Sequence, residues 1–128
     1  MLKTFAIIFG VIMIAVGLLG FVKEAAPDGL LLGVFHVNLI HNLIHLATGI
    51  AALLCGISSV ETSRLFFQIF GVVYGIVALL GYYYLDLPIF GFIANNLADA
   101  VLHTVIAAVS LYLGFFYREL ENTYPRSR

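Results

Sequence analysis

The sequence predicts an all-α membrane protein, a four-helix up-down bundle made of two tandem helical-hairpin repeats. Its 128 residues are 62% hydrophobic and 10% charged, and the mean hydropathy is +1.09. A chain with so few polar side chains cannot cover an apolar core against water, so its outer surface must face lipid. Four long apolar runs separated by short polar turns, together with an internal repeat, predict the bundle.

Charge and cysteine content exclude several classes of function. A formal net charge of −1 gives no electrostatic basis for binding nucleic acid. Cys55 is the single cysteine, so it can form neither an intramolecular disulfide nor a multi-cysteine metal site. The partner that the composition predicts is the lipid bilayer.

The first repeat is predicted at about residues 4–57 and contains two membrane spans. Residues 5–22 carry no charge, and this run is longer than the apolar region of about 7–15 residues in a signal peptide, so we expect a retained helix. A polar turn that includes Pro27 and Gly29 ends it. The second span is predicted at residues 33–57.

The second repeat is predicted at about residues 65–117. A polar connection at residues 58–64 leads into a third span at residues 65–84. Asp86 and Pro88 break that span, and a fourth follows at residues 90–117. The whole chain, residues 1–128, is therefore one transmembrane domain.

An internal duplication relates the two halves. The run from Phe9 to Phe21 matches the run from Phe70 to Tyr82, with a Phe-Gly-Val start and a Leu-Leu-Gly near the end of each. Each copy has two spans, so both copies enter the membrane in the same sense. A pseudo-twofold axis along the membrane normal should then relate them.

The distribution of basic residues predicts the orientation. Five of the six Lys and Arg residues lie on one predicted side, and only Lys23 lies on the other. The positive-inside rule therefore places both termini in the cytoplasm, with residues 118–128 as a short frayed cytoplasmic tail. The five residues are Lys3, Arg64, Arg118, Arg126 and Arg128.

A polar stripe recurs in the second and fourth spans. In each copy an Asn is followed by two further polar residues at spacings of three and then four, which places all three on one helix face. The stripe residues are Asn38, His41 and His45 in the first copy and Asn96, Asp99 and His103 in the second. If the two stripes face each other, they form a polar funnel open toward the outside.

Four stripe residues have the spacing of metal ligands. His41 with His45, and Asp99 with His103, are i, i+4 pairs, which can reach one ion from a single helix. Three imidazoles and one carboxylate suit zinc or iron in a tetrahedral or open site. The two stripe asparagines are expected to orient the ring nitrogens by hydrogen bonds.

Other interpretations of the stripe stay open. It can be a helix-pairing network, worth about 0.6–2 kcal/mol per contact, in a non-catalytic accessory subunit of a larger membrane complex or a homo-oligomer. His45 and His103 lie at equal depth, as axial haem ligands would, although a macrocycle needs more room than His41 and Asp99 leave. A site within the membrane also suits transport of a small solute. No catalytic residue is predicted, and the residues do not decide whether the protein is an enzyme.

The stripe is also where the chain resembles a known family. The runs FHVNLIHNLIHL at residues 35–46 and NNLADAVLH at residues 95–103 look like the two signatures of a family of small bacterial four-helix membrane proteins. That family is catalogued only as a domain of unknown function. The resemblance covers nearly the whole chain, implies a location in the bacterial inner membrane and supplies no activity or cofactor.

Overall fold

The computed structural model describes residues 1–118, which form four long helices. Helix α1 spans Leu2–Leu19, α2 spans Leu39–Ser58, α3 spans Val60–Tyr84 and α4 spans Leu97–Leu111, with a π-helical turn at Tyr112–Phe116. All four are long and apolar enough to cross a membrane, so the predicted fold class is confirmed. Most of the predicted tail, with Arg126 and Arg128, lies outside the described residues.

Close helix contacts hold each hairpin together. A Cβ atom on Gly10 of α1 would lie 2.7 Å from the Gly49 carbonyl oxygen of α2, and a Cβ on Gly49 would lie 2.7 Å from the Gly10 carbonyl oxygen. In the second hairpin a Cβ on Gly114 would lie 2.7 Å from the Gln68 nitrogen. Side chains at these positions would force the backbones apart, so glycine permits the hairpin packing.

The connection between the hairpins is shorter than predicted. We expected a polar linker at residues 58–64, but α2 ends at Ser58 and α3 begins at Val60. The side chain of Ser59 accepts a hydrogen bond of 3.1 Å from the Thr62 N–H and caps α3. The polar residues after it therefore form the first turn of a helix, where such side chains satisfy free N–H groups.

The second and fourth helices begin later than predicted. Residues 33–38 do not continue α2, because Leu32 (φ 54°) and Gly33 (φ 72°) form a tight turn. That turn joins strands β1 (Leu30–Leu31) and β2 (Phe35–His36), which pair antiparallel after a 3₁₀ turn at Pro27–Gly29. Residues 33–38 are apolar enough to extend a span, but their backbone forms a hairpin and not a helix.

The second repeat copies this loop. Phe90 (φ 53°) and Gly91 (φ 84°) form the equivalent turn, and an antiparallel bridge joins Ile89 and Ile93. Helix α4 accordingly begins at Leu97 rather than at residue 90. Each loop therefore folds back over the first turns of α2 and α4.

Reciprocal hydrogen bonds tie the two repeats together. Asn38 Nδ2 donates to the Phe92 carbonyl oxygen, and Asn96 Nδ2 donates to the Val34 carbonyl oxygen, both at 2.8 Å. The two asparagines also have nearly identical backbone angles, φ −147° and ψ −178° against φ −148° and ψ −179°. This exchange is the pattern that two equivalent hairpins produce about a pseudo-twofold axis.

An apolar core fills the opposite end of the bundle. Phe66 and Phe67 are almost fully buried against Leu2 and Ala52. Arg64 extends across this end and donates to the Tyr117 carbonyl oxygen at 2.8 Å. The polar residues of the stripe therefore lie at the loop-covered end, away from this core.

Candidate metal centre

Helices α2 and α4 bring three histidines together. His41 and His45 are one turn apart on α2, and His103 lies on α4. One ring nitrogen from each lies within 4.8 Å of the others, and each side chain is only 4% exposed. The ring centroids are 4.8 Å apart for His41 and His45, 5.7 Å for His41 and His103, and 6.0 Å for His45 and His103.

The hydrogen bonds of His41 determine the tautomer of its neutral ring. Its Nδ1 lies 2.8 Å from the Ala94 carbonyl oxygen, which can only accept, so Nδ1 carries the proton. Its Nε2 therefore carries a lone pair and accepts a hydrogen bond of 3.1 Å from the Nε2–H of His45. A histidine that donates one N–H to a carbonyl and has its other nitrogen unprotonated is in the tautomer that metal ligands adopt.

The other two histidines have unsatisfied nitrogens. Nδ1 of His45 and Nδ1 of His103 are buried without a hydrogen-bond partner. Within residues 1–118, no hydrogen bond joins His103 to the protein. A buried polar atom without a partner costs about 1–3 kcal/mol, and coordination of an ion through that nitrogen would remove the cost.

Asp99 lies beside the histidine cluster and outside it. Its side chain is 1% exposed, and its Oδ2 atom accepts from the backbone N–H of Asn96 at 3.0 Å and of His36 at 3.1 Å. It lines a cavity of about 220 Å³ together with His41 and His45. The structure thus groups three of the four predicted ligands and places the carboxylate on the wall of an adjoining cavity.

The two stripe asparagines cap helices. The side-chain oxygen of Asn38 accepts from the His41 N–H at 3.0 Å, and that of Asn96 accepts from the Asp99 N–H at 2.9 Å. Among the described residues, neither asparagine side chain bonds to an imidazole. The spacing of three that suggested a helical stripe is also the N-cap to N3 spacing, and Asn96 with Asp99 forms a capping box.

Tyr74 and Thr48 are neighbours of the cluster that the sequence did not single out. The Tyr74 ring centroid lies 5.6 Å from that of His103, and its hydroxyl donates to Thr48 Oγ1 at 3.0 Å. Thr48 in turn donates to the Ile44 carbonyl oxygen at 2.8 Å. The signal in the sequence was the mid-span position of Tyr74, away from the membrane interfaces where tyrosine is enriched.

The predicted funnel is not open to water. The two loops cover the N-terminal ends of α2 and α4, and Leu31, Val37, Ile89 and Ala94 in those loops are at most 7% exposed. The later start of α2 also moves the site toward this end, since His45 lies roughly 9 Å along the axis from Leu39 at 1.5 Å per residue. The funnel is covered because the tight turns at Gly33 and Gly91 fold apolar loop residues onto the N-terminal ends of α2 and α4.

Comparison with known proteins agrees with the resemblance found in the sequence. The family model described as "Domain of unknown function (DUF4383)" matches residues 3–116, nearly the whole chain. No curated protein and no solved structure matches the chain. The family description names no activity and no ligand.

Proposed function

We propose that this chain, which belongs to the family described as a domain of unknown function (DUF4383), binds a divalent transition metal within the membrane. The ligands are His41, His45 and His103, and Asp99 supplies the nearby negative charge or a fourth ligand atom. One observation carries the proposal: three buried imidazoles from two helices present ring nitrogens within 4.8 Å of one another.

The arrangement needs little adjustment to hold an ion. A tetrahedral zinc ion with nitrogen ligands at about 2.0–2.1 Å keeps those nitrogens about 3.4 Å apart. The ring nitrogens, now within 4.8 Å of one another, would have to approach to this separation, and rotation of the imidazole rings contributes to that approach. Three histidines with an open position suit zinc or iron, so both metals remain candidates.

Asp99 makes the electrostatics of a cation favourable. Asp99 and His41 lie in the first turns of α4 and α2, and the partial positive charge at helix N-termini disfavours a cation there. Neutral imidazoles would do nothing to offset that charge. A carboxylate on the wall of a shared cavity provides the compensation that a divalent ion requires at this depth.

A second candidate is a non-catalytic accessory subunit in which the stripe only pairs helices. The specific support is that Asn38, Asn96 and His41 all donate to carbonyl groups of the opposite repeat. Helix pairing by hydrogen bonds gives no role to the ring nitrogens of His103, because the residue is buried and makes ring contacts but no hydrogen bond among the described residues. Coordination of a metal gives His103 a partner, which favours the metal.

Haem and solute transport fit the described residues less well. A porphyrin between His45 and His103 would have to pass His41, whose ring centroid lies 4.8 Å and 5.7 Å from theirs. The cavities that adjoin the cluster, about 120 Å³ and 220 Å³, are far smaller than a macrocycle. Transport would require the loops over the cluster to open in each cycle.

We also propose that both termini lie in the cytoplasm, in a bacterial inner membrane. Lys3, Arg64 and Arg118 lie at the apolar-core end of the bundle, and Lys23 lies at the loop-covered end. The positive-inside rule then places the loops and the histidine cluster toward the external face.

Metal content tests the proposal, and the chain offers a matched control. The protein purified gently in detergent should contain about one equivalent of zinc or iron, measured by mass spectrometry of the metal. His103→Ala should lose most of it, whereas His36→Ala should retain it, because His36 is the one histidine outside the cluster. Equal metal content in the two variants, or no metal after incubation of the wild type with either ion, would refute the proposal.

A further inference from the structure

A narrow crevice between α2 and α3 leads to all three imidazoles. Its volume is about 120 Å³, and His41, His45 and His103 all line it. The remaining walls are mostly aliphatic and aromatic side chains of the two helices, including Val73 and Ile44. The crevice therefore joins the proposed metal site to the surface of the bundle.

The outer end of the crevice opens on the lipid-facing surface. Ile44 is 39% exposed and Val73 is 43% exposed, and both belong to membrane-spanning helices. The aqueous side is covered by the two loops, whose inner residues Leu31 and Ile89 are 4% and 2% exposed. The crevice thus gives the cluster a lateral route from the bilayer.

The walls between the lipid-facing mouth of the crevice and the imidazoles favour an apolar guest. Their two hydroxyls are already engaged, since Tyr74 donates to Thr48 and Thr48 donates to the Ile44 carbonyl. A polar ligand would lose its hydration without finding free partners along the way. Apolar cavities of comparable size, about 150 Å³, stay dry and admit guests such as xenon or benzene.

The equivalent crevice, between α1 and α4, does not reach all three imidazoles. It has a volume of about 210 Å³, but His45 is the one histidine that lines it. Its other walls are apolar residues such as Met13 and Ile106. Only the α2–α3 crevice, of these two, contacts the complete ligand set.

We propose that a small neutral apolar molecule, of the size of a diatomic gas, reaches the metal from the bilayer through the α2–α3 crevice and binds at its open coordination position. This inference rests on the proposed metal site and adds the class of ligand. A diatomic gas dissolves in lipid and fits the crevice, whereas water-soluble anions and charged solutes would have to cross an apolar wall.

Nitric oxide binding to the iron(II)-loaded protein tests the route. Val73→Phe fills the mouth of the crevice, and Val72→Phe is its control: the neighbouring Val72 is 48% exposed on the same helix and does not line the crevice. We expect nitric oxide to associate about tenfold more slowly with Val73→Phe, equivalent to an added barrier of about 1.4 kcal/mol. Association with Val72→Phe should match the wild type, and both variants should keep their iron.

Equal association rates in the two iron-loaded variants, or no nitric oxide binding to the iron-loaded wild type, would overturn the inference while leaving the metal site intact.

Xenon provides a test that needs no metal. In the metal-free protein, xenon should shift the methyl resonances of Ile44 and Val77, which line the crevice, and Val73→Phe should abolish the shifts. If xenon leaves these resonances unchanged in the wild type, the crevice does not admit apolar guests and the inference fails. If no metal binds but xenon does, the proposed function fails and the binding of a gas to the metal fails with it, and the xenon result shows only that the crevice admits apolar guests.

Discussion

Replacing the Asp99 carboxylate by an amide separates its two roles, anchoring the loops and supporting a metal. Asp99→Asn keeps the shape of the side chain and an oxygen that can accept from the Asn96 and His36 N–H groups. Hydrogen bonds to a charged group are worth about 1.5–3 kcal/mol and neutral ones about 0.5–1.5 kcal/mol. The substitution should therefore weaken the two bonds by about 2 kcal/mol in total.

Removal of the charge acts in the opposite direction. An ionised carboxylate at the centre of a membrane costs about 2.5–3.5 kcal/mol on the insertion scale and less toward the interface. Asp99 lies in the first turn of α4, so relief of this cost should nearly cancel the weakened bonds. We expect the free energy of unfolding of the metal-free protein to change by no more than about 1 kcal/mol.

Metal binding should respond far more strongly. Residues that support metal ligands change the affinity about 10–100-fold when substituted, and Asp99 is a candidate fourth ligand and compensating charge. The assay is the dissociation constant for zinc, measured by competition with a chelator in detergent, beside thermal unfolding with and without zinc. Asp86→Asn is the matched control, because Asp86 is an exposed carboxylate on the loop that follows α3.

Two results would refute this reasoning. An unchanged zinc affinity in Asp99→Asn would remove the carboxylate from the metal site. A loss of affinity with an equal loss of stability in the metal-free protein would show that Asp99 acts only by anchoring the loops. Asp99→Ala sets the scale for the second case, since it leaves two N–H groups unpaired at about 1–3 kcal/mol each.

Three further predictions concern packing, the cluster wall and topology. Gly49→Ala should destabilise the protein by about 1–3 kcal/mol in thermal unfolding, because its Cβ would meet the Gly10 carbonyl oxygen at 2.7 Å. Gly75→Ala is the control and should be neutral or slightly stabilising, because its Cβ would meet only Ala107, at 4.0 Å. Tyr74→Phe should cost about 0.5–1.5 kcal/mol through loss of the bond to Thr48, and a larger loss with reduced zinc affinity would show that the hydroxyl serves the metal. In a Cys55→Ser background, Pro27→Cys and Leu87→Cys should react with an impermeant thiol reagent in intact cells, and labelling of the tail beyond Arg118 instead would reverse the proposed orientation.

Hydropathy and spacing along the chain were enough to establish the number of spans and their duplication. Lipid is a uniform apolar solvent, so the length and hydropathy of a segment identify a membrane helix. The repeat spacing placed equivalent residues of α2 and α4 at one depth, and both signature runs lie at the helix starts that the structure describes. The same residues therefore pointed to the histidine cluster before any contact was known.

Helix boundaries and the ligand set depended on contacts between the repeats. Asn38 and Asn96 each lie three residues before the next polar residue, a spacing that suits both a stripe along a helix and an N-cap. The loop turns at Gly33 and Gly91 decide for the N-cap, because each helix begins only after its asparagine. Helical spacing determines which residues share a face of one helix, but it does not determine which side chains meet across two helices. That meeting is decided by the hydrogen bonds between the repeats. The backbone N–H of His36 holds the Asp99 carboxylate, and the Ala94 carbonyl accepts from Nδ1 of His41, which turns the unprotonated Nε2 toward His45.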